Sequence, residues 1–200
     1  MTLSLREKRR QETGLQIQKE TLKLAMENGL DNVTTDEIAA KSGVSTRTFF
    51  NYYPNKEAAA IGHPPAFTDS QMDALRDGTG PLAADLKQFL DSHITALSER
   101  EDIIRMVGRV LRSNDKARGI LEGILAAERR LLEEALLTRV ERRQTAVSLA
   151  ANITNAIRTT IFLWQKEEDL TIAAALDVVW DGLTNAAEIL VSTQLNGARS

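Results

Sequence analysis

Four side chains within six residues, Thr46, Arg47, Thr48 and Asn51, have the chemistry to read the edges of base pairs. A guanidinium can form two parallel bonds to guanine O6 and N7, worth about 1–3 kcal/mol of discrimination. A threonine can hydrogen-bond to a base or touch a thymine methyl. Arg47 serves equally well as a solvated charge or a phosphate contact. Base reading requires that these residues open a helix whose first turn points outward.

The surrounding spacing predicts such a helix. With Thr35 as position one of a helix-turn-helix, Ile38 and Ala39 take positions four and five, where a bulky residue at Ala39 would keep the second helix from closing over the first. Gly43 falls at position nine, where the turn needs a positive φ. Val44, Phe49 and Tyr52 supply the remaining packing positions. Thr34-Thr35-Asp36-Glu37 fits a capping box at the start of the first of these helices. Ser45 caps the second, Pro54 closes it, and Asn55 caps a short helix that ends at Gly62-His63-Pro64-Pro65. Thr34 and Thr35 stand at a helix N-terminus, where free N–H groups favour an anion. Two packed helices with no DNA role fit the same pattern.

The positioning elements are all helical. A first helix is predicted from about Arg6 to Asn28, with Ile17, Thr21, Leu24 and Ala25 on one face and Gly29 at its stop. Residues 64–81 mix Pro, Gly, Asp and Thr around one amphipathic turn, Met72 to Leu75, and read as a linker. Helical blocks follow at about Leu82–Ser98, Asp102–Ser113, Asp115–Arg143, Thr145–Glu167 and Thr171–Thr193. The fold class is all-α: an N-terminal three-helix helix-turn-helix domain over 1–56, and a C-terminal helical bundle over 57–200.

Composition narrows the chemistry. The chain has 200 residues, 42% apolar and 26% charged, which suits a folded soluble protein. It has no cysteine, which removes disulfides, thiolate zinc sites, iron–sulfur clusters and cysteine nucleophiles. No apolar run is long enough for a membrane span and no secretory signal is visible, so a cytoplasmic location and no membrane partner are expected. Net charge is −3, yet residues 1–56 hold nine Lys/Arg against seven Asp/Glu. Arg6, Lys8, Arg9 and Arg10 could form an arm along DNA, or simply a solvated helix start diluted by Glu7 and Glu12.

The run Gly43-Val44-Ser45-Thr46-Arg47-Thr48-Phe49-Phe50-Asn51-Tyr52-Tyr53-Pro54-Asn55-Lys56-Glu57 resembles the signature of the tetracycline-repressor (TetR) family of regulators. The upstream helix ending in Gly29, then Thr34-Thr35 and Ile38-Ala39, resembles it too. The close resemblance covers about residues 10–60. It implies that Lys56 and Tyr52 contact phosphates and that Tyr53 is core. Phe50 departs from the Tyr common there, so its hydroxyl bond to the DNA backbone is lost while packing on sugar or a thymine methyl stays open. The DNA-facing set is Thr34, Thr35, Ser45, Thr46, Arg47, Thr48, Phe50, Asn51, Tyr52 and Lys56.

The C-terminal block carries two apolar stripes. One is Leu149, Ile153, Ile157, Ile161 and Trp164; the other includes Leu176, Val179, Leu183 and Leu190. Two such helices from each protomer could form a four-helix interface, or the stripes could be internal core. The resemblance favours a homodimer. It also implies a small-molecule effector pocket, for which Phe89, His93, Met106, Asn152, Asn155 and Arg158 are the candidates; the effector is unknown. Each reads first as a satisfied core or interface group, by the rule that buried polar groups find partners.

An enzyme is not expected. His63 and His93 are the only histidines, so no three-histidine metal site or HExxH motif exists, and neither a Walker loop nor a G-x-S-x-G elbow occurs. No metal and no cofactor are expected. The function expected is a ligand-responsive repressor on a palindromic double-stranded operator. The alternative is a helical protein-binding adaptor without DNA affinity.

Overall fold

The computed structural model describes residues 4–197, with side chains described through residue 192. Among the described residues every regular element is a helix: α1 (Leu5–Asn28), a 3-10 turn (Leu30–Asn32), α2 (Thr35–Lys41), α3 (Thr46–Tyr52), α4 (Lys56–Ile61), α5 (Asp69–Asp77), α6 (Leu82–Ser98), α7 (Glu101–Ser113), α8 (Asp115–Leu136), α9 (Arg143–Lys166) and α10 (Ile172–Gly197). No described helix is long and apolar enough to cross a membrane. Packing divides the chain into two compact units. The first runs through Ala66 and resumes over Arg100–Ala126; the second takes Phe67–Glu99 and the chain from Ala127 onward.

In the first unit α1 is the central rod. Ser4 caps it through a reciprocal box with Glu7, whose carboxyl is held below the usual carboxylate range by the hydrogen bonds from Ser4. One apolar cluster joins Ile17 and Leu24 of α1 to Val33, Ile38, Ala39, Phe49, Tyr53 and Ala59. A second joins Leu22 and Ala25 to Leu30, Ala60, Ile61, Ile103, Val110 and Ala117. The helices beyond residue 56 thus complete the core of the head: α4, α7 and the first half of α8 pack with α1, although the functional division at residue 56 assigns them elsewhere.

Long-range polar contacts lock this arrangement. Gln18 Nε2 donates to the carbonyls of Ala60 (3.2 Å) and Ile61 (2.8 Å), satisfying the buried last turn of α4. Gly62 stops that helix at φ +66°, and a Cβ there would lie 2.2 Å from the Gln18 side chain. Asn114 accepts from the Ala117 N–H at 2.8 Å, capping α8, and its amide donates to Asp31 at 2.8 Å, tying α8 to the 3-10 turn.

The second unit corrects the linker expected over 64–81. Residues 69–77 form α5, started by a capping box between Thr68 and Gln71, and Met72 and Leu75 are buried. The block expected to reach Arg143 stops at Leu136. A turn follows, and Arg139 in it donates to the carbonyls of Leu75 (2.7 Å) and Gly80 (3.1 Å) and pairs with Asp85 at 2.8 Å. The cost of desolvating that guanidinium is offset by carbonyls and a carboxylate together. α6, α9 and α10 pack around Phe89, Leu90, Ile94, Ile153, Trp164 and Leu176, all buried.

Candidate nucleic-acid interface

α2 and α3 meet across a tight turn. Gly43 takes φ +69°, and the Val44 N–H donates to the Ala39 carbonyl at 3.0 Å. Ala39 and Phe49 are buried at that crossing, as the helix-turn-helix spacing requires. The first turn of α3 is then fixed twice. Ser45 Oγ accepts from the Thr48 N–H at 3.0 Å and bonds the Thr48 hydroxyl at 2.8 Å. Thr46 Oγ1 donates to Asp36 Oδ1 at 2.6 Å, joining the opening turns of α2 and α3.

The outward groups follow. Arg47, Phe50 and Asn51 are exposed on α3, Phe50 by 52%. Phe50 stands edge-on to the buried Phe49 ring, centroids 5.3 Å apart. Among the described residues neither the Arg47 nor the Asn51 side chain has an intramolecular partner, so both are available to a ligand. The hydroxyls of Ser45, Thr46 and Thr48 are engaged in holding the helix, which leaves their lone pairs and the threonine methyls for contacts.

Thr34 is exposed and reciprocally capped with Glu37, whose carboxyl is held low by the backbone and hydroxyl bonds of Thr34. Thr35 follows in the first turn, where N–H groups lack intrahelical acceptors. Lys56 is a strut: its ammonium donates to the carbonyls of Asp31 (2.7 Å) and Val33 (2.9 Å), holding the connection that leads into α2. One of its three N–H donors remains. Tyr52 is half-buried beneath Arg10, whose guanidinium sits 5.8 Å from the ring centroid. Tyr53 is core: its hydroxyl donates to the Gly14 carbonyl at 3.0 Å, and burial pushes its phenol up to about 12.

The residues expected to line an effector pocket separate. Phe89 and His93 are buried in the second unit, with the Phe67 ring 4.8 and 4.9 Å from theirs. His93 Nδ1 and Thr160 Oγ1 are buried with no hydrogen-bond partner in the chain. Burial pushes the His93 imidazole down to about 4, so it is neutral at pH 7. Met106 packs in the core of the first unit. Asn152, Asn155 and Arg158 are exposed on α9, and the Asn152 amide donates to the Ser148 carbonyl at 2.9 Å. Phe67, which packs against both rings, comes from the stretch read as linker.

The two apolar stripes also divide. Ile153, Ile157, Trp164 and Leu176 are buried within the protomer; Leu149, Ile161, Val179 and Leu183 are half-buried; Leu190 is exposed. Among the described residues the exposed large apolar side chains of α9 and α10 are Val147, Phe162, Val178, Ile189, Leu190 and Val191. Val178 and Ile189 are eleven residues apart and share one line of α10. No group of three or more metal-ligating side chains occurs among the described residues.

Residues 17–58 match the family described as bacterial regulatory proteins, tetR family. Over this span the chain is similar to the tetR family of regulatory proteins. The matched span covers the inner half of α1, α2, α3 and the start of α4. The chain is 26% identical over 191 residues to an uncharacterized HTH-type transcriptional regulator found in two strains of Mycobacterium tuberculosis, covering 94% of this chain and 95% of the relative. Its fold is similar to the crystal structure of the transcriptional regulator FadR from Bacillus subtilis in complex with stearoyl-CoA, with a TM-score of 0.54 at 18% identity, covering 84% of this chain and 95% of that one.

Proposed function

We propose that this chain is a ligand-responsive repressor that binds a two-fold symmetric operator as a homodimer in the cytoplasm. The observation that carries the reading is the opening turn of α3. It is clamped by Asp36 and Ser45 while Arg47 and Asn51 stay exposed and unpaired. A preorganised donor on a fixed helix loses little entropy on docking, and Arg47 has the reach for a guanine. One head of this size binds weakly; two heads on a palindrome with half-sites about one helical turn apart bind well. The exposed Phe162, Val178 and Ile189 support a dimer through the outer faces of α9 and α10.

The effector is an apolar small molecule with one hydrogen-bonding group. It lies against Phe67 and Phe89 and satisfies the neutral imidazole of His93. Binding favours one arrangement of the dimer and lowers operator affinity by that difference. Stearoyl-CoA, held by the Bacillus subtilis relative, is the first compound to test. A bound effector that leaves operator affinity unchanged refutes this part.

An electrophoretic shift on the DNA flanking the gene tests the whole reading. A dimer neutralising about ten phosphates gives a log–log salt slope of about −9. Binding that ignores salt, or no binding, favours the protein adaptor instead.

A further inference from the structure

The head holds a cleft of about 570 Å³, of whose lining Tyr52 alone belongs to the DNA-facing set. That volume lies within the roughly 300–1,000 Å³ of small-molecule sites. Its walls come from the first half of α1, the end of α3, the His63-Pro64-Pro65 segment and Arg100.

One feature of the lining is charge. Lys8, Arg10 and Arg100 face a single carboxylate, Glu12. Among the described residues none of these three cations has a carboxylate within 4.0 Å. Arg10 is held over Tyr52, and Arg100 Nη1 donates to the His63 carbonyl at 3.4 Å. The other feature is shape. Tyr52, Leu15 and the two prolines give a flat apolar surface. Gly14 adds backbone to this wall, with Tyr53 Oη and Tyr52 Cδ1 at ordinary contact distance from where a Cβ would stand. Tyr53 already donates its one proton to Gly14, so His63 Nδ1, 3.3 Å from the phenol oxygen, is the donor of that contact. His63 Nε2 is then the free acceptor of the ring.

We propose that this cleft binds a small organic anion: a carboxylate or phosphate drawn by Lys8, Arg10 and Arg100, on an aromatic or aliphatic body that lies against Tyr52 and the prolines. The site is built wholly from the first unit and does not involve His93. Tyr52 also belongs to the DNA-facing set, so an occupant competes with the operator backbone; that consequence rests on the repressor reading, whereas binding itself does not.

The chain's two histidines supply the test, since His63 lines the cleft and His93 is buried in the second unit. Imidazole nitrogen–proton spectra of the full-length protein are followed while 4-phenylbutyrate, and separately phenyl phosphate, is added against sodium chloride at matched ionic strength. The expected result is a saturable shift at His63 with His93 unmoved. Binding should weaken at least fivefold in Arg100→Gln and at least threefold in Lys8→Gln, with the His93 signal reporting that both variants are folded. The proposal is overturned if neither anion gives saturable movement at His63, if only His93 moves, or if both variants bind as the wild type does. Movement of His63 with a DNA duplex but with neither small anion makes the cleft a backbone contact and also overturns it. No operator is needed, so failure of the repressor reading leaves the result interpretable.

Discussion

Gln18, Tyr53 and Asn114 in the first unit, and His93 and Thr160 in the second, are all polar groups taken out of water. The first three each bond to a group more than twenty-five residues away in the chain. The last two have no such bond, and among the described residues of the head Ser42 Oγ alone shares that condition. A buried polar group without a partner carries a penalty of about 1–3 kcal/mol. The head therefore reads as a finished part, rigid enough to present Arg47. The second unit leaves His93 for the proposed effector to satisfy.

Several perturbations separate the two units. Truncating the largest core rings, Phe49→Ala in the head or Trp164→Ala in the second unit, should each cost about 3–5 kcal/mol in urea unfolding. Equal losses with a single transition would mean that the units unfold together. Separate transitions would make the division a thermodynamic one.

The next effect belongs to His93 alone. Its imidazole pKa falls from 6.5 to about 4 on folding, worth roughly 3 kcal/mol. Between those values the unfolded chain binds a proton that the native chain does not. Stability is therefore full above pH 6.5 and is lost as pH falls toward 4. His93→Leu should flatten that part of the curve, measured by urea unfolding at stepped pH; an unchanged slope would move the effect to other groups.

In the head, Lys56→Met should cost about 1–3 kcal/mol of stability by stranding the carbonyls of Asp31 and Val33, and should weaken binding to all duplexes alike. Arg47→Ala should change stability by no more than about 0.5 kcal/mol, because the side chain is exposed and unpaired. At Phe162, 68% exposed, the effect falls on assembly instead of on the protomer. Phe162→Ala should leave protomer unfolding intact and raise the dimer dissociation constant about tenfold, or about 1.4 kcal/mol, in sedimentation equilibrium. Ile157→Ala, at a buried position, should do the reverse.

The head was legible because its signals are local. Thr34, Ser45 and Asn55 each cap a backbone N–H three residues on, and Gly29, Gly43 and Gly62 take the positive φ that ends each helix or turn. The role of Lys56 was not legible, because the carbonyls it holds lie twenty-five and twenty-three residues away. The start of α5 was hidden by Pro64 and Pro65, although Thr68 and Gln71 stand at capping-box spacing. In α9 the apolar residues occupy more than one face. The pattern alone could not say that Ile153 and Trp164 turn inward and Phe162 outward; packing against α6 and α10 decides it.

The central claim is that the clamped opening turn of α3 reads bases in two symmetric half-sites. Selection of bound duplexes from a random library tests it, with wild type and Arg47→Ala compared at one salt concentration. The account predicts a palindromic motif with half-sites about one helical turn apart, and loss of preference at one base pair in each half-site in the variant. No enriched motif, an asymmetric one, or a variant that selects the same motif unchanged would contradict it.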